Sequence, residues 1–208
     1  MRRILALILT PLLRLIARLS PPEDPWERFA YNVPLHAYGT GSQHDFAWYF
    51  EGESCVEVTS LGEIQDWLLG CEYIRDPELF HEPDFWQHPR TFERLRQGDC
   101  EDHALWAWRK LVELGFDAEL VSGRIVHTDE AATRDGGHVW VLFRENSETF
   151  VLEATAKSKD RMVRSLNDVR NKYLPSFGVD RTRKRFAYNG FLVDLGKRPP
   201  KVSSRRTA

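Results

Sequence analysis

The stretch GDCEDHALWAWRKLVEL, Gly98 to Leu114, constrains this chain more than any other. Gly98 interrupts the backbone, Asp99 is a good N-cap, and Glu101 and Asp102 put negative charge in a first turn, where the helix dipole favours it. The helical pattern runs to about Leu114, with Gly115 placed as its C-terminal cap. Such a helix opens on Cys100. Two readings follow. The cysteine is incidental to a well-capped helix, or the free N–H groups and dipole of the first turn stabilise its thiolate as a nucleophile. A nucleophile needs a base, and the base an orienting partner.

A chain of 208 residues is long enough for one domain with a sizeable core, and 42% hydrophobic content with seven Trp and twelve Phe marks it as globular. The net charge of −2 hides an asymmetry. Met1 to Ser20 carries four Arg and no acid, and Arg181 to Ala208 carries nine Lys or Arg against one Asp. Between them, Pro21 to Asp180 has 16 basic and 30 acidic residues, a net of −14. Basic ends on an acidic body suit an anionic membrane surface or plain solvation; no compact basic face for nucleic acid is visible. Three cysteines, Cys55, Cys71 and Cys100, lack C-x-x-C spacing, which argues against a zinc site or a disulfide framework. A Cys55–Cys71 bridge that leaves Cys100 free stays open.

MRRILALILTPLLRLIARLS begins like a signal sequence, yet the apolar run Ile4 to Leu9 is far short of the roughly 20 residues that span a bilayer, and no small-x-small cleavage site follows. Arg3, Thr10, Arg14 and Arg18 fall near one helical face while Leu and Ile fill most of the rest. That pattern fits a helix in a membrane interface, or one docked on the protein itself. Residues 1–20 are read as this helix, 21–195 as the globular domain and 196–208 as a basic, disordered tail. SPPEDP, Ser20 to Pro25, is a linker.

Within the domain, FAWYF and CVEV around Glu51 to Ser54 predict a hairpin. Ser60 with Glu63 is a capping box that opens a helix to about Leu69, and a brief helix is expected from Thr91 to about Gln97. Strand-like runs follow at 119–126, 138–143 and 150–155. Ser165 starts another short helix, and Asn189-Gly190 predicts a second hairpin. The fold class is therefore α+β, a helix packed on an antiparallel sheet.

The segment GGHVWVLFRENSETFVLEAT supplies the missing base and its partner. A turn centred on Asn146-Ser147 sets Arg144 opposite Thr149, so His138 faces Thr155 and Trp140 faces Glu153. His138 and Glu153 then share a face as diagonal neighbours, roughly 7 Å apart at the backbone. A carboxylate there can accept from one imidazole nitrogen and leave the other for a thiol. His103, one turn beyond Cys100, is a rival base without a strand-borne orienter. His127, Asp129, Glu130 and Asp135 line a connection ending at paired glycines, read as a lid or a solvated loop.

The blocks G-D-C-E-D-x-A at Gly98, G-H-V-W at Gly137 and L-E-A-T at Leu152 resemble the three signature blocks of the transglutaminase-like superfamily, with the closest likeness to bacterial transglutaminase-like cysteine proteinases. FWQHPRTFERLRQ, Phe85 to Gln97, is similar to the segment preceding the cysteine in that group. The resemblance covers roughly the middle third of the chain. It implies a papain-like core and a Cys-His-Asp triad, with Cys100 as nucleophile, His138 as base and Glu153 in the position usually held by Asp. It implies acyl transfer on a peptide or protein substrate: hydrolysis, or amine transfer and deamidation at glutamine. A domain that has lost catalysis and binds instead is the alternative from another class. The Cys100 N–H is an oxyanion donor, with Trp86 or Gln87 as candidates for a second. No cofactor is required by this chemistry, but some proteinases of the group it resembles use calcium near the cysteine, and Asp99 and Glu101, with Asp102 further along, are oxygen ligands of the right kind; plain N-capping explains the same residues. The expected location is membrane-associated or exported in a bacterium, and the oligomeric state is left open.

Overall fold

A computed structural model describes residues 2–126 and 137–197. The lid residues His127, Asp129, Glu130 and Asp135 and the tail from residue 198 lie outside the described residues. In chain order the helices are α1 (Arg2–Leu19), α2 (Leu61–Leu69), α3 (Asp76–Leu79), α4 (Pro89–Leu95), α5 (Cys100–Glu113), α6 (Lys159–Met162), α7 (Leu166–Val169) and α8 (Asn189–Lys197). The strands are β1 (Arg28–Tyr31), β2 (Glu72–Tyr73), β3 (Gln97–Gly98), β4 (Asp117–Ile125), β5 (His138–Glu145), β6 (Glu148–Leu152), β7 (Val163–Ser165), β8 (Tyr173–Val179) and β9 (Arg185–Tyr188). An antiparallel sheet runs β1-β9-β8-β4-β5-β6-β7, and β2 pairs with β3 separately.

Helix α5 is the centre of the molecule. Asp99 and Asp102 cap it reciprocally, and nearly all of its residues are buried. Ala104, Ala107, Trp108 and Leu111 pack with Leu120, Val139, Val141 and Phe143 of the sheet. The alternate residues Val121, Trp140, Leu142 and Val151 pack on the opposite sheet face with Tyr173 and Tyr188, as the two-residue period of a strand requires. The helix-on-antiparallel-sheet arrangement is the one expected from the sequence. The β5–β6 register also matches: Arg144 pairs with Thr149 and Glu145 with Glu148, and Asn146 and Ser147 both have positive φ in the tight turn between them.

Two expected hairpins do not form. Around residues 46–58 the chain makes a 3₁₀ turn, Trp48–Phe50, and then runs irregularly. Its carbonyls are taken by cations of α5 rather than by a partner strand. Arg109 donates to the carbonyl oxygens of Tyr49, Glu51 and Gly52, and Lys110 to that of Val56. Glu93 completes the clamp, accepting from the Ser54 hydroxyl, the Cys55 N–H and the Trp106 indole. At Asn189-Gly190 the chain passes from β9 directly into α8. The glycine serves close packing there instead of a turn, since a Cβ at Gly190 would stand 2.0 Å from the Pro175 carbonyl oxygen.

Smaller differences have local causes. Helix α4 starts two residues earlier than expected because Pro89 occupies the first turn, where its missing N–H costs nothing, and it stops where Arg96 turns left-handed at φ 53°. Strand β8 contains Pro175 and Gly178, which mask it in the sequence. Strand β6 ends at Leu152, so residues 153–155 leave the sheet. Helices α2 and α7 form with Ser60 and Ser165 as N-caps. Helix α1 packs against α8, and no described helix is long and apolar enough to cross a membrane.

Two glycine substitutions should move stability in opposite directions. Gly190→Ala forces a Cβ onto backbone and is expected to destabilise by about 1–3 kcal/mol. Gly62→Ala in α2 meets only the Ser60 hydroxyl at 3.8 Å and is expected to stabilise by up to about 1 kcal/mol. Urea unfolding of both variants checks the signs.

Candidate active site

Cys100 is the first residue of α5 and His138 the first of β5, and both line one cleft of about 620 Å³. The Val139 N–H faces the Cys100 sulfur, which brings the start of the helix against the start of the strand. Gly123, opposite His138 in the β4–β5 ladder, also lines the cleft and lets β8 approach closely, for a Cβ there would stand 2.2 Å from the Leu174 carbonyl oxygen.

His138 and Glu153 come together as the register predicts, although the carboxylate arrives from the segment just beyond β6. His138 Nε2 lies 2.7 Å from Glu153 Oε2, and the ring stacks on Trp140 with centroids 6.1 Å apart. With Nε2 held by the carboxylate, Nδ1 is the nitrogen left for chemistry. The longer Glu side chain is fixed from other sides as well. Its Oε1 accepts from the Thr155 hydroxyl at 2.7 Å, and its Oε2 from the Tyr173 hydroxyl at 3.2 Å. Burial opposes ionisation of this carboxyl, but the hydrogen bonds from His138 and Thr155 outweigh it and hold the pKa below the ordinary value.

The surroundings of the thiol are acidic. Cys100 Sγ donates to Glu101 Oε2 at 3.2 Å, and burial followed by the charges of Glu101 and Asp99 pushes its pKa well above the usual thiol value. Burial does the same to the carboxyls of Glu101 and Asp102, and lifts that of Asp76 to about 6. Ligand atoms of Asp76, Asp84 and Glu101 lie within 4.8 Å of one another, as do those of Asp76, Asp99 and Asp102, and those of Asp99, Cys100 and Glu101. Asp76 Oδ1 and Asp99 Oδ1 are buried without a hydrogen-bond partner. The first two of these sets are all oxygen, and with unsatisfied buried acceptors they fit a hard divalent cation of the calcium type.

The remaining candidates fall into structural positions. Gln87 donates through its backbone to Asp102 Oδ1 at 2.9 Å, and through Nε2 to Asp102 Oδ2 at 2.6 Å and the Gln97 carbonyl at 2.9 Å. Trp86 lines the cleft, with its indole donating to Asp84 Oδ1 at 3.1 Å. The Gln87 donors and the Trp86 indole are thus engaged by these partners. His103 is buried, its Nδ1 is 2.7 Å from the Asp99 carbonyl oxygen, and burial lowers its pKa to about 4. The three cysteines are free thiols, so the Cys55–Cys71 bridge does not form.

No family model matches the chain, and neither does any curated protein. Among solved structures it is similar to LapG of Legionella pneumophila. The calcium-bound form aligns at 20% identity over 65% of this chain and 76% of that one, with a TM-score of 0.44. A second LapG structure gives 17% identity, 81% and 82% coverage and 0.43, and an EGTA-treated form gives 17%, 81% and 80%, and 0.43.

Sequence reasoning missed Tyr173, Thr155, Asp76 and Asp84. Thr155 was in view only as the residue opposite His138, and Tyr173 lies on the unrecognised strand β8. Asp76 and Asp84 sit in the Pro-rich connection, where no periodicity marks them.

Removing the Thr155 hydroxyl in Thr155→Val should raise the Glu153 pKa, which a carbon-detected NMR titration reads directly. Because the folded pKa lies below the unfolded value of about 4.3, the pair stabilises the protein above that value, and the gain is lost as pH falls through the folded pKa. Glu153→Gln is therefore expected to flatten the acid limb of a Tm-against-pH profile.

Proposed function

We propose that this chain is a transglutaminase-like cysteine peptidase or amidase with Cys100, His138 and Glu153 as its triad. The observation that carries the reading is the half-buried 2.7 Å His138–Glu153 contact in the cleft that Cys100 also lines. His138 Nδ1 takes the thiol proton, and the sulfur attacks an amide carbonyl. The imidazolium protonates the departing amine, and a thioester joins the acyl group to Cys100. Water, deprotonated by the same nitrogen, releases the acid and restores the thiol. The Cys100 N–H, free at the helix start, stabilises the oxyanion. Thr155 and Tyr173 hold the Glu153 carboxylate, offsetting its extra methylene relative to Asp.

A calcium ion belongs to the same proposal. Asp76, Asp84, Asp99 and Glu101 would hold it, and when bound it would supply positive charge against the carboxylates beside the thiol. LapG in a calcium-bound form is a precedent in another protein. The test is iodoacetamide alkylation followed by mass spectrometry, with exposed Cys55 as the internal reference. In calcium, Cys100 is expected to react at least about tenfold faster than Cys55 at neutral pH, and to lose that lead in His138→Ala. A calcium-dependent rise in Tm is expected in the wild type and not in Asp99→Asn.

The hydrogen bond from Cys100 to Glu101 favours a second reading, a binding domain with a quenched thiol. Cys100 reacting no faster than Cys55 with calcium present would select it.

A further inference from the structure

Helix α1 is docked the wrong way round for a helix of a soluble domain. Ala17 is its buried residue and meets Gly196 of α8, where a Cβ would stand 3.2 Å from the Ala17 carbonyl oxygen. Arg18 Nε donates to the Gly196 carbonyl at 3.1 Å. At about 100° per residue, Leu12, Leu15, Ile16 and Leu19 centre about 150° round the helix from Ala17. All four are 50–76% exposed. A surface helix normally buries such a stripe and shows its polar face; here the side bearing Arg14 and Ala17 meets the protein and the apolar stripe points out. At the same spacing upstream the sequence reads Leu5, Ile8 and Leu9.

What covers the stripe is indicated by charge. The contact between α1 and α8 brings Arg18 of the basic first segment to Gly196, next to Lys197 at the end of α8. Lys197 ends α8, and the eleven residues after it add Arg198, Lys201, Arg205 and Arg206 with no acid. An apolar stripe beside clustered cations complements an anionic lipid surface, which takes Leu and Ile at the acyl boundary and cations at its headgroups. We infer that the exposed face of α1, with the basic tail that leaves α8 beside it, docks on an anionic bilayer surface. Phe191 and Asp194 of α8 also line the cleft, so docking there would set the cleft close to the lipid. The inference does not depend on the cysteine chemistry.

The test is co-sedimentation of the full chain with phosphatidylglycerol-containing vesicles and with neutral phosphatidylcholine vesicles. Binding is expected on the anionic vesicles only, falling steeply as salt rises from about 0.1 M to about 1 M. Lys201→Gln, Arg205→Gln and Arg206→Gln together are expected to weaken it on the order of 100-fold, at about fivefold per charge. Leu12→Ser, Leu15→Gln, Ile16→Gln and Leu19→Ser together should abolish it while leaving the fold intact, because these side chains touch solvent; an unchanged circular dichroism spectrum and Tm confirm that. No pelleting with anionic vesicles, or pelleting that survives loss of the stripe, would overturn the inference. Concentration-dependent dimerisation that the stripe variant abolishes, without vesicle binding, would overturn it in favour of a second copy as the covering partner.

Discussion

The Asp102 carboxyl sits where three parts of the chain must meet. Fully buried in the first turn of α5, it takes the Asp99 N–H at 3.3 Å and both the backbone and side-chain nitrogens of Gln87. One side chain therefore caps the helix, fixes the incoming turn at Gly98 and ties the preceding segment alongside. Gly98 has no alternative residue, since a Cβ there would stand 2.3 Å from Asp102 Oδ2. Truncating Asp102 would leave several buried donors unpaired at once, each at about 1–3 kcal/mol. The rest of the cleft inherits its geometry from this point: Cys100 is placed by the cap, and Trp86 and Asp84 by the tie to Gln87.

The same construction makes the site electrostatically awkward. A helix start stabilises a thiolate with partial positive charge, equivalent to about half an elementary charge. Here it is opposed by carboxyls of Asp99 and Glu101, the second of which accepts a hydrogen bond from the thiol. Burial raises the pKa values of Glu101 and Asp102, which disfavours gathering their negative charge beside the thiol. A divalent cation would offset this, leaving the carboxylates charged and the thiol free to face His138. The His138–Glu153 pair lies on the other side of this balance, its carboxylate held ionised by three donors, so the base stays oriented whatever state the acidic cluster takes.

The parts of this structure legible in the sequence are those governed by local rules. The cap of α5, the Asn146-Ser147 turn and the β5–β6 register each depend on a few neighbouring residues, and they suffice to bring His138 to Glu153. The parts that were not legible depend on long-range polar satisfaction. Nothing near residues 46–58 announces that Arg109 and Lys110 will take their carbonyls, and an alternating aromatic run there reads as strand. Asn189-Gly190 has the composition of a hairpin turn because glycine has two uses, and only the approach of Pro175 reveals which one applies. Tyr173 stayed hidden because Pro175 and Gly178 disguise its strand, and Asp76 and Asp84 because a four-residue helix and the irregular backbone after it carry no readable period.

Helix α8 joins the two surfaces of functional interest. One side contributes Phe191 and Asp194 to the cleft, and Gly196 near its end receives α1. Asp194 pairs with Arg124, which follows Gly123, the residue opposite His138 in the sheet. Helix α8 has only nine residues and is anchored at its start by the Gly190 N–H to the Pro25 carbonyl and the Asn189 N–H to that of Glu27. The ion pair of Asp194 with Arg124 ties the middle of α8 to β4, so this short helix holds Phe191 and Asp194 against the cleft and Gly196 against α1.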